Sequence, residues 1–160
     1  NAPRDVVLRL VEQGLNIAVW GQGWKDLLPA SAYRGVHIEN DVLAETYSNA
    51  SVVLNDHNTD MRQNGFVSNR VYDVLACGTP IVTEDMAGIP PDLSEHIDLY
   101  SDDQDVRPTI EHAQQRPRAP FDKISLHVRE NHSFDARAKS ISNVIESLTD
   151  ALSPRQSAAA

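Results

Sequence analysis

Two short apolar segments on either side of one amphipathic segment constrain the fold of this chain more than any other feature. Residues 51–55 and 80–83 are each predicted to be strands, and the consecutive apolar positions of the first are typical of a strand covered on both faces. Between them, four apolar residues recur at helical spacing and predict a helix over 65–77: Val67, Val71, Val74 and Leu75. This order of strand, helix and strand is the unit from which parallel sheets are built.

The same alternation extends along the chain. Further strands are predicted at 16–20, 33–38 and 97–100. Further helices are predicted from Pro3 to Gly14, over 25–28, after a cap at Asn40 or Asp41, over 106–115, and from a cap at Ser133, the last with an apolar stripe of Ile141, Val144, Ile145 and Leu148. The pattern predicts an α/β fold, a Rossmann-like three-layer parallel sheet with helices on both faces. Residues 1–152 are expected to form a single domain and 153–160 a flexible tail.

The composition excludes several classes of function. The chain has 160 residues and a net charge of −9, which argues against an extended nucleic-acid face and against an anionic membrane surface as partner. No apolar run reaches the roughly 20 residues that span a bilayer. The single cysteine, Cys77, rules out an internal disulfide and fits a cytoplasmic location. The opening Asn-Ala without methionine predicts a domain cut from a longer protein.

Arg70 and Asp73 are the candidate ligand-binding residues of the helix predicted at 65–77. At about 100° per residue they fall on a side next to its apolar face. Arg70 lies in the first two turns, where unpaired N–H groups and a guanidinium suit a diphosphate, and Asp73 could accept hydrogen bonds from two ribose hydroxyls. Their spacing also allows a surface ion pair. The position at the carboxyl edge of a parallel sheet favours ligand binding.

Other motifs give weaker signals. The segment Gly21-Gln22-Gly23-Trp24 lacks the third glycine of a dinucleotide fingerprint, so a tight turn or part of a pocket wall is favoured over a NAD site. Six histidines are scattered without metal-ligand spacing, and no metal site is predicted. Among them, His57 follows the strand at 51–55, where it could serve as an acid or base or simply be solvated. No catalytic residue is assigned.

Five segments in a fixed order carry a resemblance to a known family. They are Ala18–Trp24, Tyr33–Val36, Tyr47–Asn55, Asn69–Pro80 and, more weakly, Asn131–Phe134 with Arg137. Residues 16–100 resemble the C-terminal, nucleotide-sugar-binding domain of GT-B glycosyltransferases. They are most similar to the group-1 family that includes the spore-maturation-type enzymes.

The resemblance implies one half of a two-domain enzyme that transfers a sugar from a nucleoside diphosphate sugar, with retention and without a cofactor. An N-terminal domain that this sequence lacks would bind the acceptor. The backbone from Phe66 to Asn69, with Arg70, would hold the diphosphate, Asp73 the ribose, and the turn after Gly35 the base. The expected binding residues are Gly21, Trp24, His37, Ile38, Asn64, Gly65, Phe66, Val67, Ser68, Asn69, Arg70 and Asp73.

Gly65 is the main departure from the family pattern. It stands where the family has the first glutamate of a Glu–seven–Glu motif, whose second position is Asp73 here. Two alternatives stay open, and the missing glutamate supports the second of them. One is a UDP-sugar epimerase of the same fold, with His57 as its acid/base candidate, and the other is a degenerate domain that mediates protein assembly.

Overall fold

A computed structural model describes residues 5–101 and 105–152. The predictions for Pro3, for positions 102–104 and for the tail at 153–160 lie outside these ranges. The elements in chain order are α1 Asp5–Glu12, β1 Val19–Trp20, β2 Tyr33–Gly35, α2 Asn40–Asn49, β3 Val53–Leu54, α3 Thr59–Asn64, α4 Asn69–Ala76, β4 Ile81–Glu84, α5 Pro91–Ser94, β5 Ile97–Tyr100, α6 Arg107–Gln115, α7 Ala119–Asn131 and α8 Phe134–Leu152.

The strands pair in parallel, which confirms the Rossmann-like α/β fold. β4 lies between β3 and β5 in a three-stranded sheet, and β1 pairs with β2 in a second one. The sequence pattern predicted one continuous sheet. The difference follows from strand length, because β1 and β3 are each two residues long and offer little backbone for a ladder between the two sheets.

Helices cover both faces of the three-stranded sheet. Ile81 and Val82 are both fully buried, and as successive strand residues they point to opposite faces. Ile81 packs with α4 and α7 in one core cluster: Val71, Val74, Leu75, Ile81, Leu93, Ile97, Phe121, Ile124 and Val128. Val82 packs with α1 and α6 in another: Val6, Leu10, Val82, Tyr100, Val106, Ile110 and Ala113. Burial of these apolar surfaces is the main force that holds the layers together.

The helix predicted over 65–77 begins later than expected. Residues 59–64 form the separate helix α3, which Asn58 caps by accepting a hydrogen bond from the Met61 N–H at 2.8 Å. Gly65 ends α3 in the left-handed conformation with φ +68°, and α4 starts at Asn69 after the cap residue Ser68. The prediction that 65–68 belong to α4 is therefore wrong, because a left-handed residue cannot continue a right-handed helix.

Two further helix predictions are wrong, and one helix was not predicted. Residues 25–28 form a turn, in which the Leu28 N–H donates to the Trp24 carbonyl at 3.0 Å. The cap of α2 is Glu39, whose side chain makes no capping hydrogen bond, and not Asn40 or Asp41. The sequence pattern did not predict α7, although Phe121, Ile124 and Val128 are buried at helical spacing.

The last helix shows both a confirmed and an unexpected feature. The Ser133 hydroxyl accepts a hydrogen bond from the Ala136 N–H at 3.2 Å, which confirms the predicted cap of α8. The apolar stripe predicted on α8 is exposed at all four of its residues: Ile141, Val144, Ile145 and Leu148. Within residues 5–101 and 105–152, no helix combines the length and apolar character needed to cross a bilayer.

Candidate functional site

Four polar side chains are buried where β3 and β4 end at their carboxyl termini. Asn55 and His57 follow β3, while Thr83 and Glu84 close β4. The Glu84 carboxylate accepts hydrogen bonds from the His57 backbone N–H at 2.7 Å, from His57 Nδ1 at 2.9 Å and from the Thr83 hydroxyl at 3.1 Å. Burying polar groups costs free energy unless they are hydrogen-bonded, and the hydrogen bonds of this network compensate for that cost at the sheet edge.

The network keeps Glu84 ionised. Burial alone would raise the pKa of its carboxyl, but the interaction with the Asp56 side chain and the hydrogen bonds from the side chain and backbone of His57 outweigh burial and lower the pKa from 4.5 to about 2. A carboxylate is therefore held beneath the surface at neutral pH.

His57 links this carboxylate to the start of α4. Its Nε2 accepts a hydrogen bond from the Ser68 backbone N–H at 3.0 Å, and because a backbone N–H can only donate, the ring proton is assigned to Nδ1, which faces Glu84. The expectation that His57 is solvated is wrong, since the residue is only 2% exposed. It fixes the position of the cap residue Ser68.

Asn55 positions Arg70 in a similar way. The Asn55 amide nitrogen donates to the Thr83 hydroxyl at 3.0 Å, which orients the amide so that its oxygen accepts a hydrogen bond from Arg70 Nη1 at 3.2 Å. Arg70 is otherwise exposed. The ion pair that the spacing allows between Arg70 and Asp73 does not form, and the guanidinium is held at the sheet edge with further N–H groups available to a ligand.

The N–H groups around the start of α4 divide into two sets. Those already bonded within the protein are Phe66 to the Met61 carbonyl, Ser68 to His57, Arg70 to the Ser68 hydroxyl and Val71 to the Ser68 carbonyl. In the described part of the chain, the N–H groups of Val67 and Asn69 have no protein acceptor. Unpaired N–H groups at the positive end of a helix dipole, close in sequence to a guanidinium, are donors of the kind that suits an anion.

Asp73 lies one turn into α4, on the exposed side predicted for it. Partial desolvation of its carboxyl raises the pKa of Asp73, and the nearby charge of Arg70 opposes that shift. The carboxyl and the guanidinium thus lie close enough to influence each other without sharing a hydrogen bond. Such a pair can contact two parts of one ligand.

The turn between α3 and α4 packs directly on the loop after β4. A Cβ added to Gly65 would lie 3.7 Å from the Gly88 backbone, and one added to Gly88 would lie 1.7 Å from the Gly65 carbonyl oxygen. An open cleft of about 400 Å³ adjoins this contact, lined by Thr59, Arg62, Gln63, Asp85 and Met86. Asn64, the last residue of α3, is exposed and donates to the Asp60 carbonyl, while Phe66 is exposed as well.

The remaining predicted binding residues form a second group at the carboxyl ends of β1 and β2. The Gly21 N–H donates to the Gly35 carbonyl at 2.9 Å, and the Trp24 ring lies so close that a Cβ on Gly21 would be 2.8 Å from it. His37 is exposed and pairs with Glu39 at 2.6 Å, and Ile38 is half-buried. The structure therefore gathers the predicted residues in two groups, one after each sheet.

Sequence reasoning missed the buried partners of the site. Asn55, Thr83 and Glu84 received no role, yet they support Arg70 and the start of α4. One signal was present: polar residues directly follow the apolar positions of two strands, where the sheet edge would bury them. What the pattern could not supply was the pairing of His57 with Glu84, which lie 27 positions apart.

A family model described as glycosyl transferase-like matches residues 4–143, which is most of the chain. The chain belongs to this glycosyl transferase-like family. Membership supports a role in sugar transfer in general. Searches of curated proteins and of solved structures gave no significant match.

Proposed function

We propose that the start of α4 binds the diphosphate of a nucleoside diphosphate sugar, as the donor site of a retaining glycosyltransferase of the GT-B class. The observation that carries the proposal is the buried network of Asn55, His57 and Glu84, which holds Arg70 and Ser68 in place at the sheet edge. A fold that only needed stability would gain more from apolar residues at these positions.

We assign the diphosphate and ribose of the donor to residues after the three-stranded sheet and the base to residues after the two-stranded sheet. The Val67 and Asn69 N–H groups and the Arg70 guanidinium face the diphosphate, and Asp73 accepts hydrogen bonds from the ribose hydroxyls. The turn after Gly35, with His37 and Ile38, receives the base. Arg70 and the N–H groups stabilise the negative charge that develops on the departing diphosphate, so that this domain contributes leaving-group stabilisation and positioning. In this proposal an N-terminal domain binds the acceptor.

The alternatives receive less support from the same residues. An epimerase needs an acid or base that faces the sugar, whereas His57 is buried and its ring nitrogens are engaged by Glu84 and Ser68. The assembly alternative rested on the missing glutamate at position 65. The structure gives another reason for glycine at this position, because Gly65 ends α3 with φ +68°, a backbone conformation that strongly favours glycine.

Titration with UDP and with GDP tests the proposal directly. With either nucleotide we expect shifts of the backbone amide signals of Val67, Asn69, Arg70 and Asp73 in NMR spectra of the chain. Arg70→Ala should weaken binding at least about tenfold, since a hydrogen bond to a charged group contributes about 1.5–3 kcal/mol.

Arg9→Ala is the matched control, because Arg9 is an exposed arginine on α1. It should bind the nucleotide as the unchanged chain does. No amide shift with either nucleotide at millimolar concentration would overturn the proposal, and so would an equal loss of affinity in the two variants.

A further inference from the structure

A cluster of two histidines and one aspartate lies outside the site described above. His127 is on α7, His132 is the residue that ends it, and Asp92 is in the first turn of α5. Both Nε2 atoms point at the same oxygen, with His127 Nε2 2.7 Å and His132 Nε2 2.8 Å from Asp92 Oδ2. The three potential ligand atoms lie within 4.8 Å of one another.

We propose that Asp92, His127 and His132 form a binding site for a divalent transition-metal ion, with Zn²⁺ as the expected ion. Two imidazoles and one carboxylate are a ligand set that suits Zn²⁺. Sequence reasoning predicted no metal site because the third ligand comes from a distant segment, 35 positions before His127.

The geometry must adjust to accept the ion. Bonds of about 2.0–2.1 Å in a tetrahedral arrangement place neighbouring ligand atoms about 3.3 Å apart, so each carboxylate–imidazole separation must widen by roughly half an ångström. The two Nε2 atoms, which lie within 4.8 Å of each other, must reach the same separation. The Asp92 side chain is 44% exposed and can make this movement. Because this side chain is exposed, solvent water would complete the coordination.

The surroundings of the two rings favour a fixed site. The centroids of the His132 and Tyr72 rings lie 5.4 Å apart. The Arg137 guanidinium stacks over the same Tyr72 ring, with its carbon 4.7 Å from the ring centroid. His127 Nδ1 lies 3.2 Å from the Asn131 amide nitrogen. The same amide nitrogen donates to the His127 carbonyl at 3.0 Å. When Nε2 binds the ion, the His127 proton shifts to Nδ1, so the Asn131 amide must turn away and leave water to accept from this N–H.

Titration of the chain with zinc sulfate, monitored by isothermal titration calorimetry, tests this site. We expect one Zn²⁺ per chain, and a loss of affinity of at least about a hundredfold in each of Asp92→Asn, His127→Asn and His132→Asn. The control is His112→Asn, because His112 also pairs with an aspartate, Asp98, at 2.9 Å but belongs to no three-ligand cluster among the residues that the structure describes. This variant should bind zinc unchanged.

The optical spectrum with Co²⁺ in place of Zn²⁺ gives a second readout, since absorption bands of a tetrahedral ion should appear in the unchanged chain and vanish in the three variants. Circular dichroism checks that the variants fold. If His132→Asn does not fold because the contact with Tyr72 is lost, the other two variants still decide. Absence of zinc binding, or binding that survives both Asp92→Asn and His127→Asn, would overturn the proposal.

Discussion

Glu84 connects the buried sheet edge to the surface where a ligand is proposed to bind. Its two carboxylate oxygens accept from different groups of His57, the backbone N–H and Nδ1, so this single side chain fixes both the backbone and the ring of that residue. The ring in turn holds the Ser68 N–H. Through these two steps, a carboxylate that no ligand would touch determines where α4 begins.

The ionisation of Glu84 predicts how stability depends on pH. The carboxyl has a pKa of about 2 in the folded chain and 4.5 as its ordinary value, so between these values the unfolded chain binds more protons than the folded one. The contribution of Glu84 to stability is therefore fully present above about pH 4.5 and is lost as the pH falls towards 2. We expect this residue to contribute on the order of 1–3 kcal/mol to the loss.

Urea unfolding at several pH values checks this prediction, with Glu84→Gln as the comparison. The amide cannot ionise, so the variant should be less stable at neutral pH by about 1–3 kcal/mol and should lose less stability on acidification. A variant that shows the same decline between pH 4.5 and 2 as the unchanged chain would contradict the role given to Glu84.

At the scale of elements, the contact between Gly65 and Gly88 joins the α3–α4 turn to the loop after β4. Gly88→Ala would place a Cβ 1.7 Å from the Gly65 carbonyl oxygen, so one of the two segments must move. We expect a loss of at least about 2 kcal/mol in the free energy of unfolding. Amide signals of residues 66–70 should shift in NMR spectra even without a nucleotide.

Gly14→Ala is the control, because it also replaces a glycine by alanine but places the new Cβ in open space. Gly14 has φ +76°, and an added Cβ would meet nothing within 4 Å, so alanine there costs about 1–2 kcal/mol through conformation alone. It should leave the signals of residues 66–70 in place. Unchanged signals in Gly88→Ala would show that the close approach of the two loops does not position α4.

The elements also show what the sequence could and could not predict. The apolar spacing of Val71, Val74 and Leu75 predicted the packing face of α4, because one face of a helix must meet the sheet. The start of α4 was placed too early because Gly65 was read as part of the helix and not as the end of another. The network around His57 depends on contacts between segments 11 and 27 positions apart, which local periodicity does not contain.

At the scale of the whole molecule, the three-stranded sheet carries a core cluster on each face, while β1 and β2 form a separate sheet. The proposed donor site uses residues after both sheets, Arg70 after one and His37 after the other. Such a site requires the two sheets to keep a fixed distance and orientation to each other. The expectation of a single domain over residues 1–152 therefore bears directly on the proposed function.

Unfolding followed by two probes tests whether the chain is one cooperative unit. Its two tryptophans, Trp20 and Trp24, lie in or just after β1, so their fluorescence reports on the smaller sheet, whereas far-UV circular dichroism reports mainly on the helices. For a single domain we expect the two transitions to coincide in urea. Ile110→Val, in the core cluster around Val82, should lower both midpoints together at a cost of about 0.5–1.5 kcal/mol.

If fluorescence changes at a lower urea concentration than circular dichroism, or if Ile110→Val shifts only one of the two curves, the β1–β2 sheet opens independently. A base-binding site after Gly35 would then lack the fixed position that nucleotide binding requires.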